Sequence, residues 1–158
     1  EQIVISEMLR KENIQILDHI DDWKEAVHIS MKPLEDKGYV EPRYAEEIIR
    51  NTEEIGPYYI LTEDIALIHG RPEQGVLKKQ MAVTLVNKPV KFSQDSYPVR
   101  ILIALAATDA NSHIDVMQVL ASIFIDEKKI QNMANSKSVE EIYTFLLNEE
   151  QERRQILC

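Results

Sequence analysis

The sequence ILIALAA, at Ile101–Ala107, is the longest apolar run in the chain. Its apolar residues are consecutive and do not alternate with polar ones, which is typical of a strand covered on both faces. The run is far shorter than the roughly 20 residues that a membrane-spanning helix needs, so direct membrane insertion is not expected. It predicts a strand within a sheet that is packed between helices.

Further strand-like runs lie on either side of this one and alternate with helix-like segments. They are Ile14–Leu17, Tyr58–Leu61, Ile65–Ile68 and Met81–Val86, with Val90–Phe92 able to pair beyond the segment 87–89. Alternation of strands and helices is typical of an α/β fold.

The helix-like segments carry recognisable start and stop signals. Asp21 or Asp22 can cap a first helix, in which Pro33 predicts a kink or an early end. A second helix is expected from Glu41-Pro42 to Gly56-Pro57. Three more are predicted, from capping patterns and apolar spacing, after Ser112 with Asp115, over Glu127–Met133 and after Ser138 with Glu141.

Length and charge restrict the class of protein. A chain of 158 residues predicts one domain over residues 1–158. A net charge of -9 argues against nucleic acid and anionic membranes as partners. It suits a partner with a basic face, or it simply keeps the protein soluble. The single cysteine, Cys158, cannot form an internal disulfide, which suits a reducing compartment. Residues 1–5 lack the charge and length of a signal peptide, so a cytoplasmic location is expected.

Among the four histidines, His69 has the most informative setting. It directly follows the strand-like run Ile65–Ile68 and precedes Gly70, which suits the mouth of a crevice at a strand end. His113 follows Ser112 at an expected helix start, where backbone N–H groups attract anions. If this helix start faces His69, the two histidines bracket a phosphate; otherwise His113 is a tolerated first-turn residue. His19 and His28 lie in charged or helical surroundings typical of solvated side chains.

The sequence does not match the motifs of a nucleotide site or a metal site. Gly70 and Gly75 have the glycine spacing of a phosphate-binding loop, but Val76-Leu77 stands where Lys and Ser or Thr are required. The chain has no H-x-x-x-H or C-x-x-C spacing to support a metal site. We therefore expect neither a nucleotide or other cofactor nor a metal ion.

The segment IALIHGRPEQGV, at residues 65–76, resembles the active-site segment of the mannitol/fructose-type enzyme IIA domains of bacterial sugar phosphotransferase systems. Within that superfamily it is most similar to the ascorbate-type branch, also called pentitol-type. Supporting stretches lie at residues 40–44 (VEPRY), 56–59 (GPYY) and 106–113 (AATDANSH). The resemblance covers nearly the whole chain.

The resemblance implies a three-layer α/β/α sandwich with a mixed central sheet. It implies that His69 takes a phosphoryl group from the carrier protein HPr. His69 then passes the group to a cysteine of enzyme IIB, which feeds the permease, enzyme IIC. Uptake of ascorbate or a pentitol would follow from the branch.

The same resemblance makes His113 a hydrogen-bonding helper and not the phosphoryl acceptor. Beyond the resemblance, Arg71 and the backbone N–H groups near Ser112 are candidates to hold the phosphate oxygens. Glu54 or Glu73 is a candidate to orient the His69 ring. Two positions depart from the family: Ile68 replaces a usual proline, and the spacing of Arg50 does not match an upstream arginine of the mannitol branch.

Two other functions stay open at this point. The domain can instead sense phosphorylation within a transcriptional regulator, or it can be a degenerate structural relative, although the presence of His69 and His113 counts against the latter. A homo-oligomer is also possible, because apolar helical faces serve cores and dimers alike.

Overall fold

The computed structural model describes residues 5–109 and 114–157. Within these ranges one sheet has four strands in the order β1-β3-β4-β2. The strands are β1 (Ile14–Leu17), β2 (Asp64–Ile68), β3 (Gln80–Lys91) and β4 (Pro98–Ala106). The pairs β1–β3 and β2–β4 are parallel and β3–β4 is antiparallel, so the sheet is mixed, as predicted.

The two faces of β4 explain why its sequence does not alternate. Ile101, Ile103 and Leu105 pack into a core on one side of the sheet. Leu102, Ala104 and Ala106 pack into a second core on the other side. Successive side chains of a strand point to opposite faces, so a strand buried on both faces is apolar at every position. The predicted α/β/α sandwich is confirmed.

Helices cover both faces of this sheet. The short helix α1 (Ile5–Met8), α4 (Ile114–Phe124), α5 (Glu127–Ala134) and α6 (Val139–Leu157) contribute to the first core. The second core contains the inner faces of α2 (Trp23–Asp36) and α3 (Arg43–Ile55).

The start of α2 was predicted correctly. Of the kink or early end predicted at Pro33, the early end does not occur. The Asp22 carboxylate accepts from the backbone N–H of Glu25 at 2.8 Å, and the helix runs through Pro33 to Asp36. Proline lacks an N–H, so the carbonyl of Ile29 has no donor one turn later. The side chain of Gln15 on β1 donates to that carbonyl at 3.1 Å. This substitute hydrogen bond compensates for the missing one.

The predicted strand over Tyr58–Leu61 is wrong. Helix α3 ends at Ile55 and is capped by Gly56, whose φ of +83° suits glycine; the backbone then turns. Tyr58 N–H donates to Gly56 O at 2.8 Å, and Ile60 N–H donates to Pro57 O at 3.1 Å. The turn places the rings of Tyr58 and Tyr59 beside the sheet, where Tyr59 is buried.

The predicted strand Met81–Val86 is confirmed as part of β3. Val90 and Lys91 pair with β4 beyond the segment 87–89, as expected, and they belong to the same strand, which ends before Phe92. The register against β4 shifts between Leu85 and Val90, which accommodates the intervening residues as a bulge.

Of the two capping patterns predicted after the sheet, the one at Ser138 lies within the described residues and is present. The Ser138 hydroxyl accepts from Glu141 N–H at 3.1 Å before α6. The predicted cap at Ser112 lies outside the described residues. In the two described ranges, no helix is both long enough and apolar enough to cross a membrane.

Candidate active site around His69

His69 follows β2 directly and lies at the edge of the sheet, where its side chain is half-buried. It borders a cavity of about 330 Å³, which is lined by Leu67, His69, Gly70, Pro72, Leu105, Ala107, Asp109 and Met117. Met117 belongs to α4, so the described part of this helix lies beside the cavity. The crevice predicted at the end of Ile65–Ile68 is therefore present.

A hydrogen bond fixes which ring nitrogen of His69 is available. Nδ1 lies 2.7 Å from the carbonyl oxygen of Leu67. A carbonyl can only accept, so Nδ1 carries the hydrogen in this contact, and the lone pair of the neutral ring is on Nε2. The arrangement presents Nε2 as a nucleophile. The Leu67 carbonyl thus fills the orienting role that we expected of Glu54 or Glu73.

Two tyrosine hydroxyls bind the backbone that follows the imidazole. The Tyr58 hydroxyl donates to the carbonyl oxygen of His69, and its ring meets the His69 ring edge to face at a centroid distance of 5.6 Å. The Tyr44 hydroxyl accepts from Gly70 N–H at 2.8 Å and lies 3.2 Å from the Leu105 carbonyl oxygen. Burial raises the pKa of Tyr44 to about 12 and also raises that of Tyr58. Both hydroxyls therefore keep their protons at neutral pH.

A pair of side-chain amides, one buried and one half-buried, holds the next part of the loop. Gln74 ends the 3₁₀ turn Pro72–Gln74 and exchanges hydrogen bonds of 2.9 and 3.0 Å with the side chain of Asn51 on α3. The Gln74 side-chain oxygen also accepts from Arg71 N–H at 2.8 Å. The loop after His69 is thus anchored to α3 through side chains.

Gly70 is required by close packing within this loop. A Cβ at this position would lie 2.8 Å from the Gln74 side-chain oxygen and 3.1 Å from Ile48 Cγ1. The Gln74 amide is itself held by Asn51, so it has little freedom to retreat. A side chain at this position would disturb the loop that carries His69.

Arg71 extends from the same loop and is mostly exposed. Its Nε lies 3.0 Å from a Glu73 carboxylate oxygen. A hydrogen bond from its own backbone N–H lowers the pKa of the Glu73 carboxyl, and Arg71 lowers it further. An exposed ion pair of this kind is worth little, so Arg71 can exchange Glu73 for another anion.

The remaining predicted site residues separate into two groups. Ser112 and His113 lie outside the described residues, so their approach to His69 remains a prediction. His28 instead pairs with Glu46 at 2.8 Å, and His19 lies near Asp18 and Asp21 on an exposed turn. Arg50 pairs with Glu47 on α3.

A larger depression, of about 600 Å³, lies away from His69 between β1 and α2. Its charged lining includes the ion pairs Lys32–Asp36 and Lys37–Glu12, at 3.0 and 3.6 Å. These charges neutralise one another, so the depression has no excess charge to recognise a ligand. Across the described part of the chain, no group of three or more His, Cys, Asp or Glu side chains is arranged to hold a metal ion.

The sequence singles out His69 as the candidate but does not indicate the residues that hold its backbone. Tyr44 and Tyr58 both lie in the stretches that support the family resemblance, VEPRY and GPYY, yet no role had been assigned to either. Asn51 and Gln74 gave no separate signal, because pairing of amides distant in sequence cannot be read from spacing.

Comparison with known protein families gives one clear match. The family described as "Phosphoenolpyruvate-dependent sugar phosphotransferase system, EIIA 2" matches residues 7–149. The ascorbate-specific PTS system EIIA component of Escherichia coli is 34% identical over 138 residues, which cover 85% of this chain and 89% of that protein.

Solved structures agree with this match. The mannitol-specific cryptic phosphotransferase enzyme IIA of Escherichia coli superposes with a TM-score of 0.84 and 33% identity, covering 92% of this chain and 99% of that one. Enzyme IIA for mannitol, solved in complex with phosphorylated enzyme IIB from Escherichia coli, superposes with a TM-score of 0.75. It is 29% identical and covers 89% of this chain and 97% of that one.

Proposed function

The chain belongs to the EIIA 2 family of the phosphoenolpyruvate-dependent sugar phosphotransferase system and is a phosphotransferase, and we propose that His69 carries its phosphoryl group. The observation that supports this most directly is the hydrogen bond from Nδ1 to the Leu67 carbonyl, which leaves the lone pair on Nε2 beside a cavity.

The first step takes a phosphoryl group from a phosphohistidine of HPr. His69 Nε2 attacks the phosphorus, and the Nε2–P bond forms as the bond from phosphorus to the HPr ring nitrogen breaks. The phosphorylated ring keeps its Nδ1–H and gains positive charge, which the Leu67 carbonyl stabilises. The transition state of such transfers is loose, so positioning and charge stabilisation provide most of the rate enhancement.

The second step passes the group to a cysteine of enzyme IIB. The thiolate attacks phosphorus, an S–P bond forms, and the Nε2–P bond breaks with its electron pair returning to Nε2. No proton has to leave His69 in either step, because Nδ1 retains its hydrogen throughout. The same hydrogen bond therefore serves the acceptor and the donor state of the ring.

Stabilisation of the phosphoryl oxygens is assigned to Arg71, His113 and the backbone N–H groups near Ser112. Arginine binds phosphate through charge-assisted hydrogen bonds, and the Arg71–Glu73 pair is exposed enough to open. His113 acts as a hydrogen-bond donor and not as a second acceptor of the phosphoryl group.

We assign enzyme IIB as the acceptor, with enzyme IIC as the permease that it serves. A solved relative in complex with phosphorylated enzyme IIB supports this assignment. The 34% identical ascorbate-specific relative supports ascorbate or a pentitol as the transported compound. A single cytoplasmic domain over residues 1–158 fits this role, and the net charge of -9 would speed encounter with basic partner faces.

The test is a transfer assay with enzyme I, HPr and phosphoenolpyruvate carrying labelled phosphate. Wild type is expected to take up label that is lost in acid and retained in base, as a phosphohistidine is. His69→Ala should take up none. His28→Ala is the matched control, since it removes a surface histidine that pairs with Glu46 away from the cavity. Equal labelling of His69→Ala and wild type would reject the assignment.

The transported compound needs a separate test. Labelled protein is mixed with purified enzyme IIB of the ascorbate type or of the mannitol type. Faster discharge to the ascorbate-type partner is expected, and a preference for the mannitol-type partner would overturn the choice of substrate while leaving the phosphocarrier role intact.

A further inference from the structure

We propose that Tyr44 and Tyr58 are positioning residues for phosphoryl transfer, because their hydroxyls hold the His69–Gly70 peptide group from both sides and so fix the direction of the imidazole. The proposal rests on the proposed role of His69. We call this pair of hydroxyls, with the peptide group between them, the tyrosine clamp.

The clamp acts on one peptide group. Tyr58 donates to the C=O of that group, which belongs to His69, and Tyr44 accepts from its N–H, which belongs to Gly70. In a trans peptide the C=O and N–H point in opposite directions. Two partners on opposite sides therefore prevent rotation of the peptide plane, which sets the backbone on which the His69 side chain is mounted.

Both tyrosines are anchored outside the loop that they hold. Tyr44 lies in the first turn of α3, is fully buried, and its hydroxyl also contacts the Leu105 carbonyl of β4. Tyr58 follows the end of α3, and its hydroxyl lies 3.4 Å from the Asn51 side-chain nitrogen on that helix. The clamp thus joins the loop after His69 to α3 and to the inner strand β4.

The state of the ring depends on the clamp through a short path. The bond from Nδ1 to the Leu67 carbonyl spans only two residues of backbone, so it requires a particular orientation of the chain at His69. The edge-to-face contact between the Tyr58 and His69 rings adds a second restraint on the imidazole. When the Tyr58 hydroxyl is removed, the carbonyl of His69 loses this donor and the backbone can turn. Nδ1 then loses Leu67, and hydrogen occupies either ring nitrogen.

The deciding variant is Tyr58→Phe, which removes one oxygen and keeps the ring. We expect kcat for transfer from phospho-HPr to fall about tenfold, while KM for phospho-HPr stays unchanged, since misorientation of a reacting group affects the chemical step. Tyr44→Phe should act in the same direction. Tyr59→Phe is the matched control: its buried hydroxyl lies 2.9 Å from Thr52 Oγ1 on α3, so this variant loses a comparable hydrogen bond that does not involve the His69–Gly70 peptide group.

A second readout needs no phosphoryl group. Ring-nitrogen NMR of His69 is expected to show hydrogen on Nδ1 in wild type and in Tyr59→Phe, and a mixture of both tautomers in Tyr58→Phe. Wild-type kcat and an unmixed tautomer in Tyr58→Phe would overturn the clamp. An equal loss of kcat in Tyr59→Phe would also overturn it, by showing a general packing effect. If wild type takes no label at all while Tyr58→Phe still mixes the tautomers, the proposed function fails and the clamp remains.

Discussion

The two ends of β2 are both polar, but they are held by different kinds of group. At the first residue, the Asp64 carboxylate contacts Arg100 at 3.2 and 3.3 Å and accepts from the Gln131 side chain at 2.8 Å. Arg100 also donates to the Gln131 oxygen at 2.8 Å, which closes the network. Beyond the last residue, neutral tyrosine hydroxyls hold the backbone around Gly70.

The difference shows why the side chain at one end of β2 is free to react and the side chain at the other end is not. In the Asp64 network each charged group is paired with another member of the network, so its polar atoms serve the fold. At the His69 end, uncharged donors and acceptors bind the main chain, and the imidazole keeps Nε2 for the cavity. A buried ion pair shields its charges from a ligand, whereas a backbone clamp leaves the side chain that it positions free to react.

The largest expected effect on stability comes from breaking the Asp64 network. Asp64→Ala removes the carboxylate that pairs with Arg100 in a mostly buried site and leaves it only the Gln131 oxygen, so the free energy of unfolding should fall by about 3 kcal/mol. Denaturant titration measures this change. Asp36→Ala is the control, because its pair with Lys32 is exposed and should be worth less than about 1 kcal/mol.

The comparison between the two ends also requires that folded Asp64→Ala transfers phosphoryl groups at the wild-type kcat under conditions where it is fully folded. Loss of transfer without loss of stability would contradict it, because it would place the Asp64 network in the active site.

Alkaline pH should lower the stability of the fold, in part through Tyr44 of the clamp. Burial raises the pKa of Tyr44 from 10.0 to about 12. The contribution of the neutral Tyr44 hydroxyl to the free energy of unfolding is therefore complete below pH 10 and is lost as the pH rises toward 12. Between these values the unfolded chain releases a proton that the folded chain keeps, and stability falls by roughly 2 to 3 kcal/mol. Unfolding measured from pH 9 to pH 12 should show this slope.

Tyr44→Phe provides the matched comparison for the pH experiment. Its stability should decline less steeply over the same interval, because one titrating group is absent. Burial also raises the pKa of Tyr59, so part of the slope should remain in this variant. An unchanged slope would show that Tyr44 does not titrate as its buried position requires.

A smaller effect, on transfer and not on the global fold, is expected from Gly70→Ala. The new Cβ would meet the Gln74 side-chain oxygen at 2.8 Å and displace the loop beside the clamp. We expect kcat to fall about thirtyfold, since a shift of about 1 Å at a reacting group can cost up to a hundredfold. Ring NMR of His69 should show mixed tautomers, and wild-type kinetics would mean that the loop tolerates the side chain.

The contrast between the ends of β2 also explains what the sequence could predict. Ile101–Ala107 predicted a covered strand, because burial on both faces requires an apolar residue at every position. His69 could be singled out as the candidate because it follows an apolar run and precedes glycine. These features depend on neighbours in the chain and therefore appear in the sequence.

Contacts between distant residues left no such pattern. Tyr58–Leu61 looks like a strand because aromatic and β-branched residues favour strands, yet the ring of Tyr58 is positioned against His69. The bond from Gln15 to Ile29, which lets α2 continue past Pro33, joins two elements and has no spacing signature. The Asn51–Gln74 amide pair is another case. Such partners are brought together only by the fold, so the tyrosine clamp could not be predicted from the sequence.

An arginine side chain lies near each end of β2. Replacing the one beside His69 should give the smallest of the expected effects. Arg100 is held by Asp64 with 21% of its side chain exposed, whereas Arg71 is 65% exposed in its pair with Glu73. Arg71→Ala should therefore lower kcat about fivefold by removing one charge from the phosphoryl oxygens, with little effect on stability. Arg50→Ala is the control, because that arginine is 63% exposed and is also paired with a glutamate, on α3. Transfer at the wild-type rate by Arg71→Ala, or an equal loss in Arg50→Ala, would mean that Arg71 contributes only to surface charge and that the backbone and His113 bind the phosphate without it.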